Sequence, residues 1–270
     1  MNKANAPYSL SRIWNLLQKS GMEKWLLSTL LRYIQEGKEN DFIKEYQWAL
    51  SYWAENIQDT KQKVIITLDG RDTAGKWSNI KRVTWQLDSR RFAVKAFPWI
   101  PTEEEKFEDN WFQRYEKFFP QEGSVRFFDR SWYNRAWVEA AMWFCSEEEY
   151  MWFMSHVNDF EKERIVDVWY DFLKIYISIS KKTQKERLQK RKEVRKRWKS
   201  SPIDAQAQEK WNYYTLAKQR ILEETDSPHA PWIVLDSNEK FLSAVEIIKA
   251  MVGTNAEVRK IIEQDLSINL

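Results

Sequence analysis

The chain of 270 residues has one cysteine, Cys145, and two histidines. An internal disulfide is therefore excluded, and no Cys/His spacing of the zinc-binding kind exists, so Cys145 reads as a small buried hydrophobe. His156 and His229 have no triad-like partners in sequence and read as structural, and no serine stands in a nucleophile elbow. Long apolar runs are missing too. None reaches the length that crosses a bilayer, and the N-terminal "MNKANAPYSLSRIWNLL" lacks the apolar core and small-residue cleavage site of a secretory signal. No membrane association and a cytoplasmic location are expected. Glycine is scarce: there are 6, where usage of roughly 7% would give about 19. Tryptophan, by contrast, occurs 16 times.

Net charge is only +3, but it is unevenly placed. "KKTQKERLQKRKEVRKRWK", residues 181 to 199, has eleven Lys or Arg against Glu186 and Glu193, so it carries +9 and the remainder −6. Arg187, Arg191 and Arg195 are four apart and share one helix face, continued by Lys199. A basic helix can be a plain solvated surface. Concentration of one sign instead points to a polyanion handled at one place.

Along the chain, apolar groups from Trp25 to Trp53 recur at helical spacing and predict a helical N-terminal extension over residues 1–60. Residues 61–270 alternate strands and helices. "KVIITLDG", "FAVKAF", "SVRFFD", "FLKIYISIS" and "PWIVLD" read as five strands. Helices are expected over 79–88, over 102–119 with a Thr102/Glu105 capping box, over 138–166, through the basic stretch, over 204–224 and over 244–252. This predicts one α/β domain, a five-stranded mostly parallel sheet with helices on both faces.

The first strand runs into "LDGRDTAGKWSNIKRV". Gly70, four residues, Gly75 and Lys76 have the spacing of a phosphate-binding loop, in which backbone N–H groups, a helix N-terminus and a lysine surround phosphate oxygens. Gly70, Arg71, Thr73, Ala74, Gly75, Lys76 and Ser78 are the candidate loop residues. The position after the lysine, ordinarily Ser or Thr, is Trp77. Asp72 lies inside the loop, where a carboxylate either shares a magnesium ion with phosphate oxygens or caps the turn. Asp129 ends the third strand, where a second acidic residue meets the metal in phosphoryl-transfer folds. Arg130 and Arg135 can bracket a transferring phosphate, and Glu139 is a further metal candidate or an ion-pair partner. The basic stretch follows the fourth strand, where nucleotide kinases carry a lid, here about 181–203; closure would exclude water.

With these stretches in hand, the sequence resembles the second family of polyphosphate kinases from about Val64 to Val252. "GRDTAGK", "IKR", "WFQRY", "FFDRSWYNRA", "FCSEEEY", "KRWKSSPID" and "APWIVLDSN" follow in that family's order. The resemblance implies a phosphate-loop kinase fold and reversible, Mg2+-dependent transfer of a terminal phosphoryl group from inorganic polyphosphate to a nucleotide. "DRSWYNRA" and "FCSEEEY" look most like the subgroup that acts on nucleoside diphosphates. By motif match, Asp72 and Asp129 organise metal, Lys76 and Arg130 stabilise the transferring group, and Glu139 helps hold a second magnesium. Lys81, Arg82, Arg135, Arg187 and Arg191 would bind polyanion. A homo-oligomer is expected and nucleic acid is not.

Two other readings stay open: an ATP-dependent nucleotide or small-molecule kinase, and a silent polyanion-binding module. The second is kept alive by Trp77, which would crowd a phosphate site. The family usually has glycine at Trp77, Trp137, Trp143 and Trp169. Together with the composition, this points to some of these tryptophans being glycine in the protein as made, for example through a UGA codon assigned to glycine.

Overall fold

A computed structural model describes residues 38–85, 87–97, 101–106, 108–191 and 206–255, with 32, 33, 36, 258 and 260. Its helices are α1 (Glu39–Asp59), α2 (Lys76–Val83), α3 (Glu108–Glu116), α4 (Val138–Met142), α5 (Glu147–Glu161), α6 (Lys181–Arg191), α7 (Trp211–Thr225) and α8 (Lys240–Gly253). The strands are β1 (Lys63–Gly70), β2 (Phe92–Ala96), β3 (Ser124–Asp129), β4 (Tyr170–Ser178) and β5 (Trp232–Asp236). All neighbours pair in parallel, in the order β2-β3-β1-β4-β5. The expected sheet is therefore present and wholly parallel. Among the described residues no helix is long and apolar enough to cross a membrane.

β1 explains the layering. Side chains alternate faces along a strand, and its apolar residues divide accordingly. Val64, Ile66 and Leu68 join one core with α1, α2 and α8, through Trp53, Ile80, Ile247, Ile248 and Met251. Ile65 joins the other, an aromatic core of Trp111, Phe128, Trp132, Tyr133 and Phe160. A strand buried on both faces has no polar side, which is why "KVIIT" reads as a continuous run. The last helix of the N-terminal extension, α1, thus belongs to the same core as α8, and Tyr33 packs against that core too; residues 1–31 lie outside the described residues.

Two of the expected helices, over 102–119 and 138–166, are interrupted in the structure. Over 102–119 the capping box forms, Thr102 N–H to Glu105 Oε2 at 3.1 Å and Glu105 N–H to Thr102 Oγ1 at 3.3 Å. It caps a 3-10 turn, Glu104–Lys106, before α3. The 138–166 segment breaks at Trp143, whose φ of 61° is left-handed. It restarts at Ser146, which forms a reciprocal capping box with Glu149, and closes in a π-turn, Lys162–Val166. Periodicity cannot see such breaks, because the apolar face carries on across them. Arg195, Trp198 and Lys199 of the expected lid lie outside the described residues.

Register then sets the site. Leu68 of β1 pairs with Asp129, Gly70 with Ile177, and Ser178 with Asp236. The carboxyl ends of β1, β3, β4 and β5 therefore share one edge, the place where open parallel sheets bind ligands.

Candidate phosphate-binding site

Between β1 and α2 the backbone makes the turn the spacing predicts, with Gly70 at φ 141° and Gly75 at φ 107°. A Cβ on Gly70 would lie 2.4 Å from the Ile177 carbonyl oxygen, so glycine is needed there for close approach as well as for conformation. Thr73, between them, is also left-handed at φ 65°. Its buried Oγ1 has no hydrogen-bond partner among the described residues. Lys76 opens α2 and bends back, donating to the carbonyls of Gly70 at 2.8 Å and Arg71 at 3.3 Å. Burial, and after it the charge of Arg130, lowers its pKa to about 8, against which Asp129, Asp72 and Asp69 pull upward. Phosphate oxygens in the loop would hold it charged.

Asp72 and Arg130 meet across the loop at 2.6 Å. Burial would raise the carboxyl, but Arg130 and Lys76 outweigh it and hold Asp72 below its ordinary value; Arg191 adds to the same field. The guanidinium of Arg130 in turn feels Asp72 and Asp129 against its own burial. Arg130 sits at φ 72°, its N–H bonded to Leu68 O at 3.1 Å, so the chain turns sharply as β3 ends. Asp72, Lys76, Asp129 and Arg130, four residues from two strand ends, thus form one charge cluster.

The remaining candidates are distributed otherwise. Ser78 Oγ bonds the Gly75 carbonyl at 2.9 Å. Arg71 points its guanidinium out of the loop, 3.7 Å over the Trp211 ring and 2.6 Å from Thr215 Oγ1, joining the loop to α7. On α2, Lys81 is exposed near Trp85 and Arg82 lies against Ser78 O. Arg135 is buried: it pairs with Glu139 at 3.1 Å and Glu149 at 3.3 Å, bonds Lys106 O at 3.1 Å and covers the Trp111 ring at 4.0 Å. Glu139 is enclosed with it, its pKa raised to about 7 by burial in spite of Arg135 and Arg114. Arg187 donates to backbone carbonyls at the loop. Trp77 sits in the first turn of α2 with its side chain 51% exposed, outside either core.

Sequence reasoning passed over Asp69 and Ser131. Asp69 is buried beneath the loop and accepts from Ser131 N–H at 3.2 Å and Oγ at 2.5 Å, tying the end of β1 to the segment after Arg130. Burial pushes its pKa up to about 6, with the Ser131 bonds opposing. A carboxylate interrupting the last turn of an apolar strand, in "IITLDG", was the available signal. Below it, Lys174 and Glu161 form a fully buried pair at 2.6 Å, and Trp132 Nε1 donates to Glu161 at 3.0 Å, which anchors the Trp132–Arg135 turn.

Whether the site suits a divalent cation can be judged from its donors. Among the described residues no three Asp, Glu, His or Cys side chains converge on one point. Asp72 and Asp129 remain as two carboxylates beside a phosphate cradle. That is the donor set Mg2+ uses when substrate phosphates and water complete an octahedron.

A family model described as polyphosphate kinase 2 matches residues 33–263. The ADP-polyphosphate phosphotransferase of Pseudomonas aeruginosa is 38% identical, over 77% of this chain and 66% of its own length. The NDP-polyphosphate phosphotransferase 1 of Ruegeria pomeroyi is 39% identical, over 73% of this chain and 64% of its own. The chain thus spans slightly less than two thirds of the length of these curated relatives. Among solved structures, polyphosphate kinase 2 from Arthrobacter aurescens TC1 superposes with a TM-score of 0.74 at 27% identity, over 81% of this chain and 78% of that one.

Proposed function

The chain belongs to the polyphosphate kinase 2 family, and from that premise we propose that it transfers the terminal phosphoryl group of inorganic polyphosphate to a nucleoside diphosphate, reversibly. A terminal phosphate oxygen of the acceptor attacks the terminal phosphorus of the donor. The P–O bond to the next phosphate breaks, and its electron pair stays with the shortened polyphosphate. The observation that carries this reading is the Asp72–Arg130 pair, 2.6 Å apart inside a loop whose backbone suits phosphate. A carboxylate in that place repels bare phosphate, and it becomes useful when a cation mediates.

Each side chain then has a task. Lys76 places a point charge on phosphate oxygens, and Arg130 neutralises charge on the group in flight once Asp72 no longer monopolises it. Asp72 and Asp129 would hold Mg2+, which would supply positive charge against the phosphate oxygens. The work is alignment and neutralisation of two polyanions, with little covalent chemistry for the protein. Lys81, Arg82 and Arg191 are the candidates for guiding the polyphosphate chain. A cytoplasmic location and homo-oligomeric assembly are kept in the same proposal.

The test is ATP or GTP formation from ADP or GDP with polyphosphate, with and without Mg2+. Folded protein that binds polyphosphate but makes no nucleoside triphosphate would replace this reading with the silent module. Asp129→Asn is expected to lower kcat by about 10²-fold or more, the scale on which electrostatic groups act in such sites; retained turnover would remove Asp129 from the metal site.

A further inference from the structure

A loop that turns its N–H groups inward to phosphate turns carbonyls outward, and each buried carbonyl needs a donor. Here the outward carbonyls of Asp72, Thr73 and Ala74 are met from α6 and from the end of β5. Gln184 Nε2 donates to Asp72 O at 3.2 Å. Arg187 Nη1 donates to Thr73 O and Ala74 O, both at 3.0 Å, and Ser237 Oγ reaches Ala74 O at 2.9 Å. The other end of the same guanidinium, Nη2, bonds Ser237 O at 2.6 Å and Asn238 O at 3.0 Å. One side chain thus bridges the loop after β1 and the loop after β5.

The helix that carries these donors is itself fixed. Asn238 Oδ1 accepts from Ser180 N–H at 3.0 Å and from Thr183 Oγ1 at 2.6 Å, which ties the start of α6 to the end of β5. Ser243 Oγ, bonded to both Ser237 Oγ at 3.0 Å and Asn79 Oδ1 at 3.1 Å, links that same corner to α2. Gln184 and Arg187 are three residues apart on a helix and therefore face the same way.

The peptide they hold is the strained one. Thr73 is β-branched and sits at φ 65°, a conformation that persists only where surroundings over-determine it. Its carbonyl and its neighbours on each side are the three that α6 and Ser237 engage. A guanidinium suits the task because its planar fork directs five N–H donors at once, whereas an ammonium is a compact point charge.

We propose that Arg187, with Gln184, is a positioning residue that sets the peptide orientation of the phosphate loop and fastens it to the root of the basic helix, rather than a ligand of polyphosphate. This rests on the reading above only in so far as the loop is the phosphate site; the loop's own rigidity is measurable without substrate.

Arg187→Lys, Arg187→Met and Gln184→Leu are compared with wild type and with Arg191→Gln. The first readout is amide hydrogen exchange over residues 71–76 without substrate. Exchange there is expected to quicken about tenfold or more in both Arg187 variants and less in Gln184→Leu, because protection follows local stability. The second is steady-state kinetics with polyphosphates of several lengths. For Arg187→Lys, kcat should fall by about 10²-fold, the scale of a misplaced reacting group, with KM changes independent of chain length. Arg191→Gln should instead raise the KM for polyphosphate and flatten its salt dependence by about one unit of slope. If Arg187→Lys behaves as Arg191→Gln is expected to, with loop exchange unchanged, the positioning role is wrong. Should Arg187→Met fail to fold, Arg187→Lys and Gln184→Leu decide the matter by the same two readouts. Absence of turnover in the wild type, with the exchange difference intact, would defeat the proposed reaction and leave the positioning role standing.

Discussion

Besides Lys61 after α1, non-glycine residues hold the left-handed backbone region at the phosphate site and at two tryptophans, and the two sets are supported differently. At the phosphate site, Thr73 (φ 65°) and Arg130 (φ 72°) are enclosed by bonds. Arg187 fixes the Thr73 carbonyl, while Asp72 fixes the Arg130 side chain and Leu68 O its N–H. Elsewhere, Trp143 (φ 61°) ends α4 and Trp169 (φ 66°) precedes β4. Their backbone bonds are in order, Phe144 N–H to Glu139 O at 2.9 Å and Trp169 N–H to Val166 O at 3.0 Å. Their side chains, however, are 73% and 85% exposed. Strain at the loop is held by partners that also shape the site. At these two positions the backbone favours a residue without a Cβ, and in return the Trp169 ring gains almost nothing while that of Trp143 gains an edge-on contact with Tyr213.

Glycine itself marks the strongest case, so the largest expected effect lies at Gly70. Gly70→Ala would force a Cβ to 2.4 Å from Ile177 O, which belongs to the backbone of paired β4 and cannot step aside. Backbone strain of about 1–3 kcal/mol adds to overpacking of about 1–3 kcal/mol. A loss of roughly 3 kcal/mol or more in denaturant unfolding is expected, with turnover abolished. At Gly75 the φ of 107° is as demanding, but the nearest atoms to a new Cβ are the Ser78 hydroxyl at 3.0 Å and Lys240 Cε at 3.5 Å, both ends of side chains. Gly75→Ala should therefore cost only the conformational part, about 1–3 kcal/mol, while still lowering kcat. Equal losses at the two positions would mean that close approach to β4 is not what Gly70 provides.

The same contrast shows how much was legible beforehand. The strands, their mostly parallel pairing and the loop were readable, because apolar runs punctuated by Gly70 and Gly75 leave few alternatives. The charge cluster of Asp72, Lys76, Asp129 and Arg130 was readable too, since each stands at a strand end or inside the loop. What sequence could not give is which way a charged side chain turns. Arg71, Arg135 and Arg187 look like phosphate ligands in one dimension. In space Arg71 lies on Trp211, Arg135 lies between Glu139 and Glu149, and Arg187 lies on carbonyls. Of the four tryptophans where the family resemblance leads one to expect glycine, Trp143 and Trp169 occupy glycine-like backbone. Trp137 is at φ −97°, stacked on Tyr176 with ring centroids 4.9 Å apart, and Trp77 is an ordinary helical residue. Backbone conformation therefore speaks for two of the four.

At Trp169 replacement by glycine should stabilise. Relief of left-handed strain is worth about 1–2 kcal/mol, and the added freedom of the unfolded chain takes back about 0.5–1 kcal/mol. With the ring 85% exposed, little packing is lost. Trp169→Gly is thus expected to gain roughly 0.5–1 kcal/mol in denaturant midpoints at unchanged slope. A loss of that size would show that the exposed ring has a partner in the assembled protein and would separate this cap from its counterpart.

The smallest effect belongs to Trp143, where two terms oppose. Its ring lies edge-on to Tyr213 at 6.1 Å, a contact worth about 0.5–1.5 kcal/mol that Trp143→Gly removes while relieving a similar amount of strain. The net change should stay within about 0.5 kcal/mol, so stability alone cannot say whether tryptophan belongs there. Peptide mass analysis of the protein made by its source organism can. Glycine at 143 and 169 is expected, since both have left-handed backbone and exposed side chains, and the same spectra read 77 and 137, where only the family resemblance points to glycine. Tryptophan at all four, from UGG codons, would end the recoding idea and make the two caps a case of strain retained without visible return. Glycine at 143 and 169 alone would show that backbone conformation, rather than family resemblance, is the better guide to which tryptophans are misread.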